Sequence, residues 1–161
     1  MILMKVDTVI FGDLSQMGIV LLVTEDNERA IPIWVGLFEA QAIMFKLQGS
    51  VFPRPLTHDL LKNCIEKLSG KVEYILINDI NKNTFYAEIH IIANNKKIVI
   101  DSRPSDAIAL AVRTNSQIYV DEKVFEASSV DKEEFLKEQR EKIYKAYLES
   151  LEDDNTGKLK H

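Results

Sequence analysis

The chain carries a single cysteine, Cys64, in 161 residues, which excludes an internal disulfide and any multi-cysteine zinc site. Glycine and proline are few, six and four, and neither an internal repeat nor a low-complexity linker appears. No apolar stretch approaches the roughly 20 residues needed to span a membrane. The opening Met1-Ile-Leu-Met-Lys5 is interrupted by Lys5 and Asp7 too soon for a signal peptide, so a cytoplasmic location is expected. Positive charge is also in deficit: 20 Lys and Arg stand against 25 Asp and Glu, for a net charge of −5. That counts against broad electrostatic attraction to nucleic acid, and a nucleic-acid partner would need a local basic patch or a bound metal. Nucleophile-elbow, phosphate-loop and dinucleotide fingerprints are missing as well.

What remains is an ordinary globular composition, 46% hydrophobic and 28% charged, of a length that suits one domain better than two. Residues 2–11, 18–24 and 29–35 read as strands, the last two joined by the turn-like Glu25-Asp-Asn-Glu28. Pro32 inside the third strand predicts an edge or a bulge. Residues 37–47 have helical composition, and Trp34 just before them is read as core, with a pocket wall as the alternative. In residues 55–68, Leu56, Leu60, Leu61, Cys64, Ile65 and Leu68 recur at helical spacing, with His58, Asp59, Lys62 and Glu66 on the other side. Residues 72–79 and 84–92 read as a hairpin whose Phe85, Ala87, Ile89 and Ile91 share one face.

The chain is organised around Ile98-Val-Ile-Asp-Ser-Arg-Pro-Ser-Asp-Ala-Ile-Ala-Leu-Ala-Val-Arg113. Its β-branched start predicts a strand covered on both faces. Pro104 suits a first helical turn, and the residues after it leave little polar surface, so a mostly buried helix should follow. Residues 117–120 read as a short strand, and Val124-Phe125 as a brief apolar contact. Character changes near Val130: residues 131–154 read as a charged amphipathic helix with a sparse stripe of Leu136, Ile143, Tyr147 and Leu151, and residues 155–161 as a frayed tail. The predicted fold class is α+β, mainly antiparallel strands packed with about three helices over residues 1–130, followed by the C-terminal helix and tail over 131–161.

Two helix starts look alike. Arg54-Pro55 precedes Thr57, His58 and Asp59, and Arg103-Pro104 precedes Ser105 and Asp106. A residue before proline is held extended, so each arginine projects from the loop. Free N–H groups at a helix start, with an arginine fork and the Ser105 hydroxyl beside them, suit an anion such as a phosphate. The competing reading is that these residues cap helices and the arginines pair with neighbouring aspartates. Carboxylates at predicted element ends, Glu39, Asp59, Asp101 and Asp106, are hard ligands suited to Mg²⁺ or Mn²⁺ if they converge, with Asp101 and Glu39 the candidates for metal. Asp59 and Asp106 serve equally to complement a helix dipole.

The run Asp101-Ser-Arg-Pro-Ser-Asp-Ala-Ile-Ala-Leu-Ala111 resembles the signature of the bifunctional nuclease family. So do Pro32-Ile-Trp-Val-Gly36 with Glu39-Ala40, and Arg54-Pro-Leu-Thr-His-Asp59. The three motifs lie within residues 2–130, the Pro32 motif first, the Arg54 motif second and the Asp101 motif last. The resemblance implies a compact α+β domain, and nuclease activity on RNA and DNA as in some plant members; it assigns no catalytic residues. His58, the one histidine inside such a motif, is the candidate general acid or base, against a solvated or capping role. Two functions follow. In the first, a metal- or histidine-assisted phosphodiesterase, Arg54 and Arg103 bind phosphate, His58 moves protons, and Asp59 and Asp106 orient it or hold a metal. In the second, a non-enzymatic oligomeric module binds a small anionic ligand or a protein partner. A homodimer is the expected assembly, because cyclic association buries sheet edges.

Overall fold

The computed structural model describes residues 1–12 and 17–157, with side chains as far as Leu151. Three antiparallel strands come first: β1 (Ile2–Phe11), β2 (Met17–Thr24) and β3 (Arg29–Gly36). Two helices follow, α1 (Leu37–Leu47) and α2 (Thr57–Lys67), then a second antiparallel set, β4 (Gly70–Asn81), β5 (Thr84–Ala93) and β6 (Lys96–Ser102). Helix α3 (Pro104–Thr114) leads into β7 (Gln117–Val120), α4 (Glu122–Ser128), β8 (Val130–Asp131) and α5 (Lys132–Gly157). The strands form one sheet in the order β6-β5-β4-β7-β1-β2-β3-β8. Strand β7 joins the two sets, antiparallel to β1 and parallel to β4. The fold is therefore a single α+β domain.

A chain poor in glycine turns its corners with asparagine. Lys82-Asn83 and Asn94-Asn95 link β4 to β5 and β5 to β6, each pair with φ between 46° and 63°. Two consecutive positive φ values are what a tight hairpin requires, and asparagine tolerates them better than most residues. Asn115 closes α3 in the same conformation, at φ 53°.

Helices α1, α2 and α3 lie together, with α3 packed against the other two and against β4 and β5. As predicted, α3 is mostly buried: Ala107, Ile108, Ala109 and Leu110 are fully enclosed. They join Val20, Leu22, Ile31, Ile33, Ile75 and Ile77 in the main core. Alternation along β2 sends Leu21 and Val23 to the opposite face, where Phe135 and Leu136 of α5 cover them. Beyond these first turns α5 leaves the body, so Ile143, Tyr147 and Leu151 are exposed. The helix runs through Gly157, past the predicted start of the tail, and residues 158–161 lie outside the described residues. Among the described residues no helix is long and apolar enough to cross a membrane.

Several expectations need correction. Ile98, Val99 and Ile100 form no covered strand; β6 is a sheet edge, and they are 43%, 53% and 44% exposed. An unbroken apolar run reads the same for a doubly covered strand as for an edge awaiting a partner. Helix α2 is turned: His58 is buried, whereas Leu60, Leu61, Cys64 and Leu68 face solvent. Its polar first turn is drawn inward by charged residues of α3, described below, while Ile65 alone of that stripe packs against the core. Val124 and Phe125 make the expected apolar contact with the core, and do so from a short helix, α4, whose N-cap Asp121 accepts from the Lys123 N–H. Pro32 does sit at an edge, since β8 covers β3 only at Arg29 and Ala30.

Candidate active site

The backbone enters α3 through Arg103, extended at φ −66° and ψ 143°, with Pro104 as the first helical residue. Proline needs no hydrogen-bond acceptor there and disfavours helical backbone at Arg103, so the arginine side chain leaves sideways. Asp106, three residues on, receives it: Nε donates to Oδ2 at 2.7 Å and Nη2 to Oδ1 at 3.2 Å. Glu39, in the first turn of α1, places Oε1 3.0 Å from Nη1 of the same guanidinium. From α2, His58 sets Nε2 3.0 Å from Asp106 Oδ1. Glu39 and Asp106 thus meet on one arginine, with His58 behind Asp106, and the Arg103 side chain remains 65% exposed.

The charges of this cluster reinforce one another. Hydrogen bonding and attraction from Asp106 raise the Arg103 pKa; burial opposes them, and contact with Glu39 adds to the rise. Burial pushes the Asp106 carboxyl up, but hydrogen bonds from Arg103 and His58 and the attraction of both outweigh it, so the carboxyl lies below the usual range. His58 donates through Nε2–H to Asp106, which leaves Nδ1 buried and without a partner among the described residues. No nitrogen of His58 is therefore free toward solvent in this arrangement.

A second cluster lies behind the first. Arg113, 4% exposed near the end of α3, donates to Asp59 Oδ1 at 2.7 Å, to the Ala109 carbonyl at 2.8 Å and to the Ala42 carbonyl at 3.0 Å. Asp59 also accepts from the Leu56 N–H at 2.9 Å, capping α2. Burial raises the Asp59 carboxyl, but the Leu56 N–H, the Arg113 bond and charge, and Lys46 together hold it low. One arginine thus ties the backbones of α1 and α3 to the Asp59 side chain that caps α2.

Arg103 separates two clefts. One, of about 550 Å³, is lined by Phe38, Glu39, Leu56, His58, Arg103 and Asp106, among others. The second, of about 360 Å³, includes Trp34, Gly36, Phe85, Arg103 and Ser105. Phe38 is 80% exposed and Trp34 53%. The core reading of Trp34 fails and the pocket-wall alternative holds: the ring lines the second cleft and, among the described residues, meets Phe135 in an edge-on contact at 6.5 Å.

The sequence candidates divide accordingly. Glu39, His58, Arg103 and Asp106 converge, and Ser105 lines the neighbouring cleft. Asp59 belongs to the Arg113 cluster. Arg54 is exposed and makes no ion pair among the described residues, although Pro55 beside it lines the larger cleft. Asp101 stays on exposed β6. Among the described residues no three His, Cys, Asp or Glu side chains gather as metal ligands, because Glu39 and Asp106 flank a guanidinium. Sequence reading overlooked Arg113 and Phe38. A lone arginine ending the run Ala-Ile-Ala-Leu-Ala-Val is a signal in itself, since a charge in a buried helix needs a partner.

Comparison with known proteins fits this arrangement of three motifs around one cleft. A profile of the bifunctional nuclease domain matches residues 20–133. An uncharacterised protein of Mycobacterium tuberculosis is 35% identical over 145 residues, covering 84% of this chain and 87% of its own length. Bifunctional nuclease 2 of Oryza sativa subsp. japonica is 30% identical over 108 residues, covering 65% of this chain but 33% of the rice protein. Bifunctional nuclease 1 of the indica subspecies is 25% identical, again over 33% of its length. With most of its core strands, all three motifs and both arginine clusters inside the matched span, the chain belongs to the bifunctional nuclease domain family.

Proposed function

We propose that this chain is a nuclease that hydrolyses phosphodiester bonds of RNA or DNA in the clefts on either side of Arg103. The observation that carries the reading is one contribution from each motif at a single solvent-facing guanidinium: Glu39 and Asp106 pair with Arg103, and His58 backs Asp106. Its planar fork suits a phosphate oxygen, and it is already oriented by two carboxylates, so little reorganisation accompanies the build-up of charge on phosphorus. Asp106 holds Arg103 in place and His58 holds Asp106. A carboxyl kept below the usual range is a weak base, so Asp106 positions and does not abstract. Exposed Phe38 and Trp34 offer ring faces to unstacked bases, and Arg54 offers a further cation near the cleft wall. Asp59 stands outside the reacting group in this account.

Mg²⁺ or Mn²⁺ fits the residues poorly. The position between Glu39 and Asp106 where a divalent ion would bind is filled by Arg103. The non-enzymatic reading has one observation in its favour: both nitrogens of His58 are occupied or buried, which suits a module that holds an anion without cleaving it.

Cleavage of labelled single-stranded RNA and DNA separates the two. The parent and the Arg103→Ala and His58→Ala proteins, purified identically, would be assayed with Mg²⁺, with Mn²⁺ and with chelator. Activity in the parent that falls in both variants is the expected result. Equal activity in all three overturns the assignment, and retention of RNA by the parent without cleavage transfers the cleft to the binding reading.

A further inference from the structure

The two ends of the sheet are built differently. At one end β8 is two residues long and runs straight into α5, and Pro32 next to it has no N–H to offer. At the other end β6 presents seven residues with one side of the backbone unpaired among the described residues. Its centre is Ile98-Val99-Ile100, and each of these side chains is two-fifths to one-half exposed. A long apolar edge of this kind invites a further strand.

We propose that the further strand is β6 of a second copy, paired antiparallel about a two-fold axis at Val99, so that two eight-stranded sheets become one. The residue pattern Lys97-Ile-Val-Ile-Asp101 is complementary to itself when reversed. Pairing about Val99 sets Lys97 of each copy opposite Asp101 of the other, Ile98 opposite Ile100, and Val99 opposite Val99. Paired residues share a face, so keeping the helices of both copies on one side of the joined sheet allows register shifts only in steps of two. Centring the pair on Ile98 would put Lys97 against Val99, and centring it on Ile100 would put Lys97 against Arg103 and Val99 against Asp101. Only the Val99 register matches charge with charge and apolar with apolar.

The flanking surface agrees. Ile98 pairs with Ile91 in β5, and both Ile91 and Ile65 of α2 lie against Gly70. Helix α2, packed on β4 and α3, therefore lies on the Ile98–Ile100 face of the sheet, and Leu60 and Leu61 on its outer side and Leu68 at its C-cap leave further apolar surface on that face, 57%, 38% and 77% exposed.

The test uses the full chain. Sedimentation and mass measurement in solution should give a dimer. Lys97→Asp sets two pairs of carboxylates against each other and should weaken dimerisation at least tenfold, while Lys97→Asp with Asp101→Lys restores it. In a Cys64→Ser background, Val99→Cys should form a dimer-linking disulfide on mild oxidation, because directly opposed strand residues lie within disulfide reach. A monomeric parent overturns the proposal. So does a Lys97→Asp protein that stays dimeric without loss of affinity, or a Val99→Cys protein that does not cross-link.

Discussion

Arg54-Pro55 and Arg103-Pro104 look interchangeable in the sequence, yet the structure uses them differently. Pro104 is the first residue of α3, whereas α2 starts two residues after Pro55, with Leu56 as its N-cap. The spacing to the following aspartate differs too. Asp106 lies three residues beyond Arg103, within reach of its own helix start, and Glu39 and His58 close in from neighbouring helices. Asp59 lies five residues beyond Arg54 and is held by Arg113. One arginine is thereby fixed at the mouth of two clefts and the other is left in water. What an Arg-Pro motif does is set by which carboxylates the rest of the fold brings within about 3 Å, and hardly by the motif.

Substitutions can break this contrast. The largest effect is expected behind the site. Arg113→Ala leaves Asp59 without its partner and frees two helix carbonyls, so denaturant unfolding should show a loss of about 3 kcal/mol, the low end for a broken buried pair because Asp59 keeps some water. Arg103→Ala should lower cleavage on the order of 10²-fold while changing stability by less than about 1 kcal/mol, since this arginine is largely exposed.

Acid provides a graded version of the same comparison. Asp59 and Asp106 both titrate below the usual carboxylate range when folded. Their contribution to stability is therefore present above the unfolded value of about 3.9 and is lost as pH falls below it through the folded values. The Asp59→Asn, Asp106→Asn double variant should be less stable at neutral pH and should lose less on acidification; an unchanged acid slope would remove both carboxylates from the account. The smallest effect belongs to Arg54→Ala, expected within about 0.5 kcal/mol of the parent in stability.

Much of the fold was legible in the chain. Period-2 alternation placed Ala87, Ile89 and Ile91 on one face of β5, and the pairing of Pro104 with an apolar run marked α3. Local pattern could not show how α2 is rotated, because the buried side of its first turn is chosen by Asp106 and Arg113, some 50 residues away. Nor could it distinguish a covered strand from the exposed β6. Within the candidate site, Glu39, His58, Arg103 and Asp106 were named from the sequence, since helix starts concentrate such side chains. Their convergence, and the diversion of Asp59 to Arg113, depend on packing between α1, α2 and α3 that no spacing along the chain encodes.

The most direct measurement sets Arg103→Ala beside Arg54→Ala in one cleavage assay on labelled single-stranded RNA and DNA, with the parent as reference and with folding checked by thermal unfolding. The account predicts that Arg103→Ala loses on the order of 10²-fold in rate while Arg54→Ala stays within a few-fold of the parent. Equal losses in the two variants, or activity that survives Arg103→Ala, would contradict it.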